Sequence, residues 1–376
     1  MLVTNSQTRQ ETRQLYLIVQ RTTLARFLIL IAIVPIFVLG PKEYSAKVNA
    51  QTCLQLAFSK QNYVDFQWHI FVTNADGSNE RQLTNGDFLD NFPVWSPDGK
   101  HIAFLRVDFN KTDDLPHLYI MAPDGSGMKR LTEGIAFEFS PTWSPDSKKI
   151  AFISGSEDKS AVYIMNVDGS ERTHVVDLSM KLHSSLVQDV LPAKPILRFA
   201  EDGHHLYYQR EGIKVIDIDQ KVLKSIEASG QSFEWSPNGK RIVYVDGRAG
   251  TPDIYVMDAD GHNIVQLTTA GQEEFPTWSP DGHIIAFTSN RNGTSDFLSS
   301  DVYLMGADGS HLVRLTTDMK DYWSPQWSPD GHQLIFWSNL THQTYIIDAD
   351  GQRFHAITHL TDNESAQHFS WSPILC

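Results

Sequence analysis

The chain has 376 residues, with 31 Lys/Arg against 45 Asp/Glu, a formal charge of −14 and 41% hydrophobic residues, enough apolar material for a large folded core. The first 50 residues hold six of the basic and two of the acidic groups, so the remainder carries −18. A surface that acidic, with no offsetting Lys/Arg stripe, repels phosphate backbones and argues against nucleic-acid binding.

At the N-terminus, Phe27 to Gly40 is an apolar run of 14 residues, preceded by Arg9, Arg13, Arg21 and Arg26 and followed by Pro41. A spanning helix needs ~20 residues, so this run fits a secretory h-region. Val48-Asn49-Ala50 supplies small residues for cleavage before Gln51. The basic flank is long for a signal peptide, so an uncleaved anchor remains an alternative. Both readings export residues 51–376 and leave the N-terminal segment as the only membrane contact.

Past this leader the chain is a repeat. Leu54-Gln-Leu-Ala-Phe58, His69-Ile-Phe-Val72 and Arg81-Gln-Leu-Thr84 come first, then Trp-Ser-Pro recurs at Trp95, Trp143, Trp235, Trp278, Trp327 and Trp371. The steps are 48, 92, 43, 49 and 44 residues, and the 92 holds a decayed copy at Phe199-Ala200-Glu201-Asp202-Gly203. The unit is therefore about 46 residues, in the range of β-propeller blades. Phe275 to Phe287, Asp301 to Gly309 and Val313 to Thr316 read as strands A to D. Ser-Pro-Asp-Gly suits a type I turn joining A to B, and a second signal such as Asp308-Gly309 turns C into D. Tyr, Ile, Val and Phe fill the segments between. The fold expected is all-β, a propeller of seven four-stranded blades, or six if residues 197 to 226 merge with a neighbour.

The chain ends in Phe369-Ser-Trp-Ser-Pro-Ile-Leu-Cys376, a strand A without B, C or D, whereas it begins with B, C and D lacking an A. The C-terminal strand is thus expected to complete the N-terminal blade and close the ring, removing two sheet edges. The two cysteines, Cys53 and Cys376, flank that gap, and a disulfide would replace the missing Ser-Pro-Asp-Gly connection covalently. Two unrelated thiols are the alternative. Ala50-Gln-Thr-Cys53 departs from a lipobox.

The repeats resemble the TolB-type propeller repeat, a WD-repeat-like module; Asp253-Ile-Tyr-Val-Met-Asp-Ala-Asp-Gly261 is nearly its consensus string, and the likeness runs from about residue 54 to 374. The resemblance implies the propeller fold and says little about function. The α/β domain that precedes the propeller in TolB itself has no counterpart between the leader and the first repeat.

No Gly-x-Ser-x-Gly elbow occurs. Asp258-Ala-Asp260-Gly261 and Asp348-Ala-Asp350-Gly351 lack the later ligands of a calcium loop. The 15 histidines show no zinc or manganese spacing, and neither metal nor cofactor is expected. Four Asn-x-Ser/Thr sequons, at Asn110, Asn292, Asn339 and Asn363, fall in connections.

Topology puts the B-to-C and D-to-A loops on one face, including the long stretches 108–117, 178–196 and 289–300. Just before strand A, at the expected channel mouth, stand Asp90-Asn91-Phe92, Glu138-Phe139, Glu273-Glu274-Phe275 and Asp321-Tyr322-Trp323. A ring of carboxylates and aromatics there would favour cations, basic peptides or sugars; alternatively the aromatics plug the spaces between blades. The expected function is an exported, non-enzymatic binding platform for a protein or peptide, at the cell envelope in the periplasm, secreted or anchored. The alternatives are an extracellular carbohydrate-active enzyme such as a lyase, and a tethered scaffold whose blades contact sibling chains.

Overall fold

A computed structural model describes residues 54–373, apart from 63–66, 109–114, 135, 157–158, 179–196, 210–211, 227–230, 249, 293–299, 319, 359 and 361–363. The leader, both cysteines, Asn110, Asn363 and most of the three long loops lie outside the described residues. Every described element is a strand, and no described helix is long and apolar enough to cross a membrane.

The strands make five sheets of four and one of eight. The eight-stranded sheet consists of two runs of four joined by a single parallel bridge, Trp68 opposite Leu89. In the first run, Glu364–Trp371 pairs antiparallel with Gln55–Asn62, with Leu56 opposite Trp371 and Asn62 opposite Glu364, followed by Gln67–Asn74 and Arg81–Gln82. The second run spans Phe88–Trp95 to Lys129–Arg130. The remaining sheets follow in chain order at 137–178, 197–226, 231–266, 273–314 and 322–356. Residues 197–226, where the repeat has decayed, still form four strands, because Leu206, Tyr208 and Ile216 are buried on one face of the sheet and Ile213 and Ile226 on the other.

Each sheet buries one face against the next. Trp95, Ile102 and Phe104 pack on Ala57, Ile70 and Val72, and Trp143, Ile150 and Phe152 pack on Ala103, Leu105 and Leu118. The same arrangement recurs at the next four junctions. A seventh cluster joins the last sheet to the first, with Ile335, Ile346 and Ile357 against Leu54, Leu56 and Ala75, covered by Phe369 and Trp371. Gly77 reinforces this junction: a Cβ there would lie 2.9 Å from the Ile357 carbonyl oxygen, and its φ is +79°. Only glycine accommodates both conditions at no cost.

The repeated Leu-Thr has a structural role. Thr84, Thr132, Thr268, Thr316 and Thr358 each accept, at 2.9–3.0 Å, the backbone N–H of the residue 14 positions earlier, holding the two-residue outer strand to its neighbour.

Candidate functional site at the inner-strand bulges

The strands ending in the repeated tryptophan lie innermost: Phe88–Trp95 touches both Glu364–Trp371 and Phe137–Trp143, and Glu273–Trp278 touches both Gln231–Trp235 and Tyr322–Trp327. In six of the seven, pairing slips by one residue three positions before the tryptophan. The residue at the slip, Phe92, Ser140, Ser232, Phe275, Ser324 or His368, has φ between 52° and 57°. Non-glycine residues rarely adopt this conformation, and a bulge there bends the strand and re-aims the side chains beside it. In the seventh, Leu197–Phe199, the corresponding position 196 lies outside the described residues.

The expected mouth residues divide into two groups. Asp90, Glu138 and Glu273 are fully buried rather than lining an open acidic ring. Asp90 accepts from Arg106 Nε at 2.6 Å and Nη2 at 2.8 Å. Burial raises its pKa, but the hydrogen bonds from Arg106 and His69 outweigh that and leave it below the ordinary carboxylate value. Glu138 faces His117 Nδ1 at 3.0 Å, accepts from Thr132 Oγ1 at 2.9 Å and has Arg172 at 3.8 Å. Glu273 accepts from Arg291 Nη2 at 2.8 Å, Ser289 Oγ at 2.9 Å and Thr268 Oγ1 at 3.1 Å, yet burial still raises its pKa. These three carboxylates tie the inner strand to side chains of the second strand and of neighbouring segments, and their charge is spent internally. Asn91 and Tyr322 are also buried, the latter donating its hydroxyl to Asp318 at 2.8 Å. Half-buried Phe139 packs into the clusters on both sides of its sheet.

The second group is accessible. Half-buried Phe92 stacks on His368 of the neighbouring inner strand at 4.0 Å, with Trp68 at 6.5 Å from the same imidazole. His368 Nδ1 contacts Asn91 Oδ1 at 2.8 Å, and burial pushes its pKa down to about 4. Across another junction, half-buried Phe275 meets exposed Trp323 at 5.4 Å. Glu274, which precedes Phe275, is exposed, its pKa raised by desolvation and by the charge of Asp321. Asp321 is buried and accepts from Trp323 Nε1 at 3.0 Å and Asn339 Nδ2 at 3.2 Å. Sequence reasoning missed His368 and the arginine partners; His368 occupies the same place relative to Trp371 as Phe92 does to Trp95, a signal that repeat alignment carries.

Among the described residues no group of three or more His, Cys, Asp or Glu is placed to hold a metal ion. The Asn292 and Asn339 amides are engaged, with the Tyr303 hydroxyl at 2.8 Å and with Asp321. On the Asp-Gly turn face a cleft of ≈ 320 Å³ lies between the second run of the eight-stranded sheet and the sheet at 137–178, lined by His101, Met121, Lys129 and Val167.

Residues 197–374 match the family model described as the TolB beta propeller domain. Over that stretch its repeats are similar to the TolB-type propeller. Comparison with the curated proteins finds no match. TolB from Acinetobacter baumannii is a structural neighbour at 18% identity and TM-score 0.51, covering 85% of this chain and 67% of that one. An oligogalacturonate lyase in complex with manganese aligns at 14% identity and TM-score 0.56, covering 80% and 84%. A Mycobacterium tuberculosis puromycin-hydrolyzing peptidase aligns at 12% identity and TM-score 0.58, covering 84% of this chain and 55% of the peptidase. At these identities the likeness is one of fold, and it spans both enzymes and TolB.

Proposed function

We propose that this protein is an exported, non-enzymatic platform that binds a protein or peptide over the inner-strand bulges, with its seven four-stranded groups closed into a seven-bladed ring. Seven apolar junctions in cyclic order support the ring, as does the pairing of Glu364–Trp371 with Gln55–Asn62. The observation that carries the binding reading is the contrast within each repeat. Trp-Ser-Pro, the Asp-Gly turns and Leu-Thr recur because they build the blade, whereas the left-handed positions read Phe92, Ser140, Ser232, Phe275, Ser324 and His368. Strained backbone presenting phenylalanine, serine or histidine depending on the blade is expected of a recognition surface. The basic flank and apolar run before residue 50 support export.

Covalent closure belongs to the same proposal. The last described bond between the terminal strands is Ser372 N–H to Gln55 O at 2.7 Å, and Cys53 and Cys376 follow within a few residues on either side. Mass measured without reductant decides it: two free thiols in exported material remove the disulfide.

Binding is tested by cross-linked capture from cell-envelope extract with three baits: the wild type, Phe92→Ala/Phe275→Ala, and Lys129→Ala/Asp168→Ala on the opposite face. The same species captured by the first and third but lost by the second supports the reading. Loss with the third bait alone assigns binding to the turn face and overturns it.

A further inference from the structure

Three carboxylates buried five residues before an inner-strand tryptophan each have a cationic partner, and the buried Asp321, one residue before the inner strand Tyr322–Trp327, does not. Asp90 has Arg106, Glu138 has Arg172 and His117, and Glu273 has Arg291. Asp321, only 3% exposed, is met by an indole N–H and an amide, and among the described residues it ion-pairs with no Lys, Arg or His. The adjacent Lys320 is committed elsewhere, with Nζ 3.0 Å from Asp318. Beside this uncompensated charge stands Glu274, exposed and with no side-chain partner, its acidity weakened by desolvation and by Asp321. Two carboxylates repelling each other in partly desolvated surroundings lack the cation that Asp90, Glu138 and Glu273 possess.

The aromatic groups at the same junction point to what that cation is. Trp323 is the one large apolar residue of the described inner strands that is exposed, at 38%, and its ring lies 5.4 Å from Phe275 at an interplanar angle of 33°. Inside the protein, arginine already uses this combination of carboxylate and aromatic face: Arg106 pairs with Asp90 and covers Phe88 at 4.2 Å, and Arg291 pairs with Glu273 and covers Tyr303 at 5.2 Å. Ser324 Oγ, buried and without a hydrogen-bond partner, adds an acceptor next to Trp323.

We propose that the junction formed by Glu274, Phe275, Asp321 and Trp323 is a socket for an arginine side chain of the partner, whose guanidinium stacks on Trp323 and pairs with Glu274. This rests on the binding reading above and specifies its partner as a protein segment bearing an exposed arginine. A guanidinium suits the site better than an ammonium because it is planar, weakly hydrated and able to stack and pair at once. Asp321, enclosed by Trp323 and Asn339, contributes field rather than contact.

The test uses acetyl-Gly-Arg-Gly-amide and its citrulline counterpart, which keeps the shape and loses the charge. Each is titrated into the exported protein carrying ¹⁵N-labelled tryptophan, with the Trp323 indole resonance assigned by its loss in Trp323→Phe. The arginine peptide is expected to shift that resonance saturably and the citrulline peptide to leave it in place. Glu274→Gln, an exposed substitution that keeps the fold, should weaken the arginine peptide at least fivefold. Equal shifts from both peptides, no shift of Trp323, or unchanged affinity in Glu274→Gln each overturn the socket. The outcomes separate this inference from the one beneath it. If envelope capture still depends on Phe92 and Phe275 while the peptide ignores Trp323, the socket falls and the platform stands. If capture is indifferent to the bulge substitutions, the platform falls whatever the peptide does.

Discussion

Trp278 illustrates what the repeated tryptophan contributes. It is 4% exposed, packs on Val243, Val245 and Ile254 of the preceding sheet, donates its indole N–H to the Glu234 carbonyl at 3.2 Å and carries Arg241 over its ring at 4.8 Å. Trp278→Ala should therefore cost about 3–5 kcal/mol of stability, read from denaturant midpoints, through the cavity it opens. Gly77→Ala should cost about 2 kcal/mol, since it adds a clash with Ile357 to a left-handed conformation that alanine resists, whereas Gly127→Ala, with nothing within 4 Å, should cost about half as much. Equal effects would remove the Ile357 contact as a determinant of the last-to-first junction. His368 makes the acid side predictable. Its pKa falls from 6.5 to about 4 on folding, so the unfolded chain binds the proton more readily between those values. Stability is therefore full above pH 6.5 and is lost as pH drops toward 4, by no more than ~3 kcal/mol. His368→Gln should flatten that part of the pH profile in urea unfolding; an unchanged slope would assign the acid sensitivity to other groups.

At the scale of elements, the outer strands are two residues long at Arg81–Gln82, Lys129–Arg130, Val265–Gln266, Val313–Arg314 and His355–Ala356. Short edge strands limit pairing with other chains, which matters because Val265 and Val313 on them, and Ile264 and Leu312 just before them, are exposed. The C-terminal strand is the opposite case. Ala366 is fully buried, Phe369 stacks on Phe58 at 5.1 Å, and six residue pairs tie the strand to Gln55–Asn62. Deleting residues 364–376 uncovers that edge and the cluster around Leu54 and Ile335. The truncated chain is expected to oligomerise or lose cooperative unfolding, observable by light scattering and calorimetry. A monomer with an unchanged melting temperature would show that the strand is dispensable.

For the whole molecule, charge governs encounter more than fold. Residues 51–376 carry a formal −18, and the buried Asp90, Glu138 and Glu273 among them are neutralised by paired cations, so the field felt by a partner comes from exposed groups such as Glu274 and from the unpaired Asp321. Exposed charges are screened beyond ~8 Å at physiological ionic strength. Association of a basic partner should therefore slow by roughly tenfold between low and high salt while dissociation changes little, measured by surface-immobilised kinetics. Salt-insensitive association would indicate an apolar docking surface.

The repeat made the fold readable from sequence. Trp-Ser-Pro, Asp-Gly and Leu-Thr are local turn and strand chemistry, and a local signal repeated at a fixed spacing specifies blades without knowledge of long-range contacts. The placement of the C-terminal strand followed from the same periodicity, since strand A without B, C and D has one place to go. The mouth was only half legible. Sequence alignment brought Asp90, Glu138 and Glu273 to equivalent positions, and the structure agrees on that equivalence. It could not tell that they are buried, because burial depends on what lies opposite: Arg106 faces Asp90 across the strand pair, and Arg172 and Arg291 reach their carboxylates through tertiary approach. Nor does a sequence reveal which carboxylate lacks a cation or which bulge leaves its aromatic ring uncovered. Those are properties of packing between sheets, where a one-residue slip in register decides whether a side chain braces the blade or faces a partner.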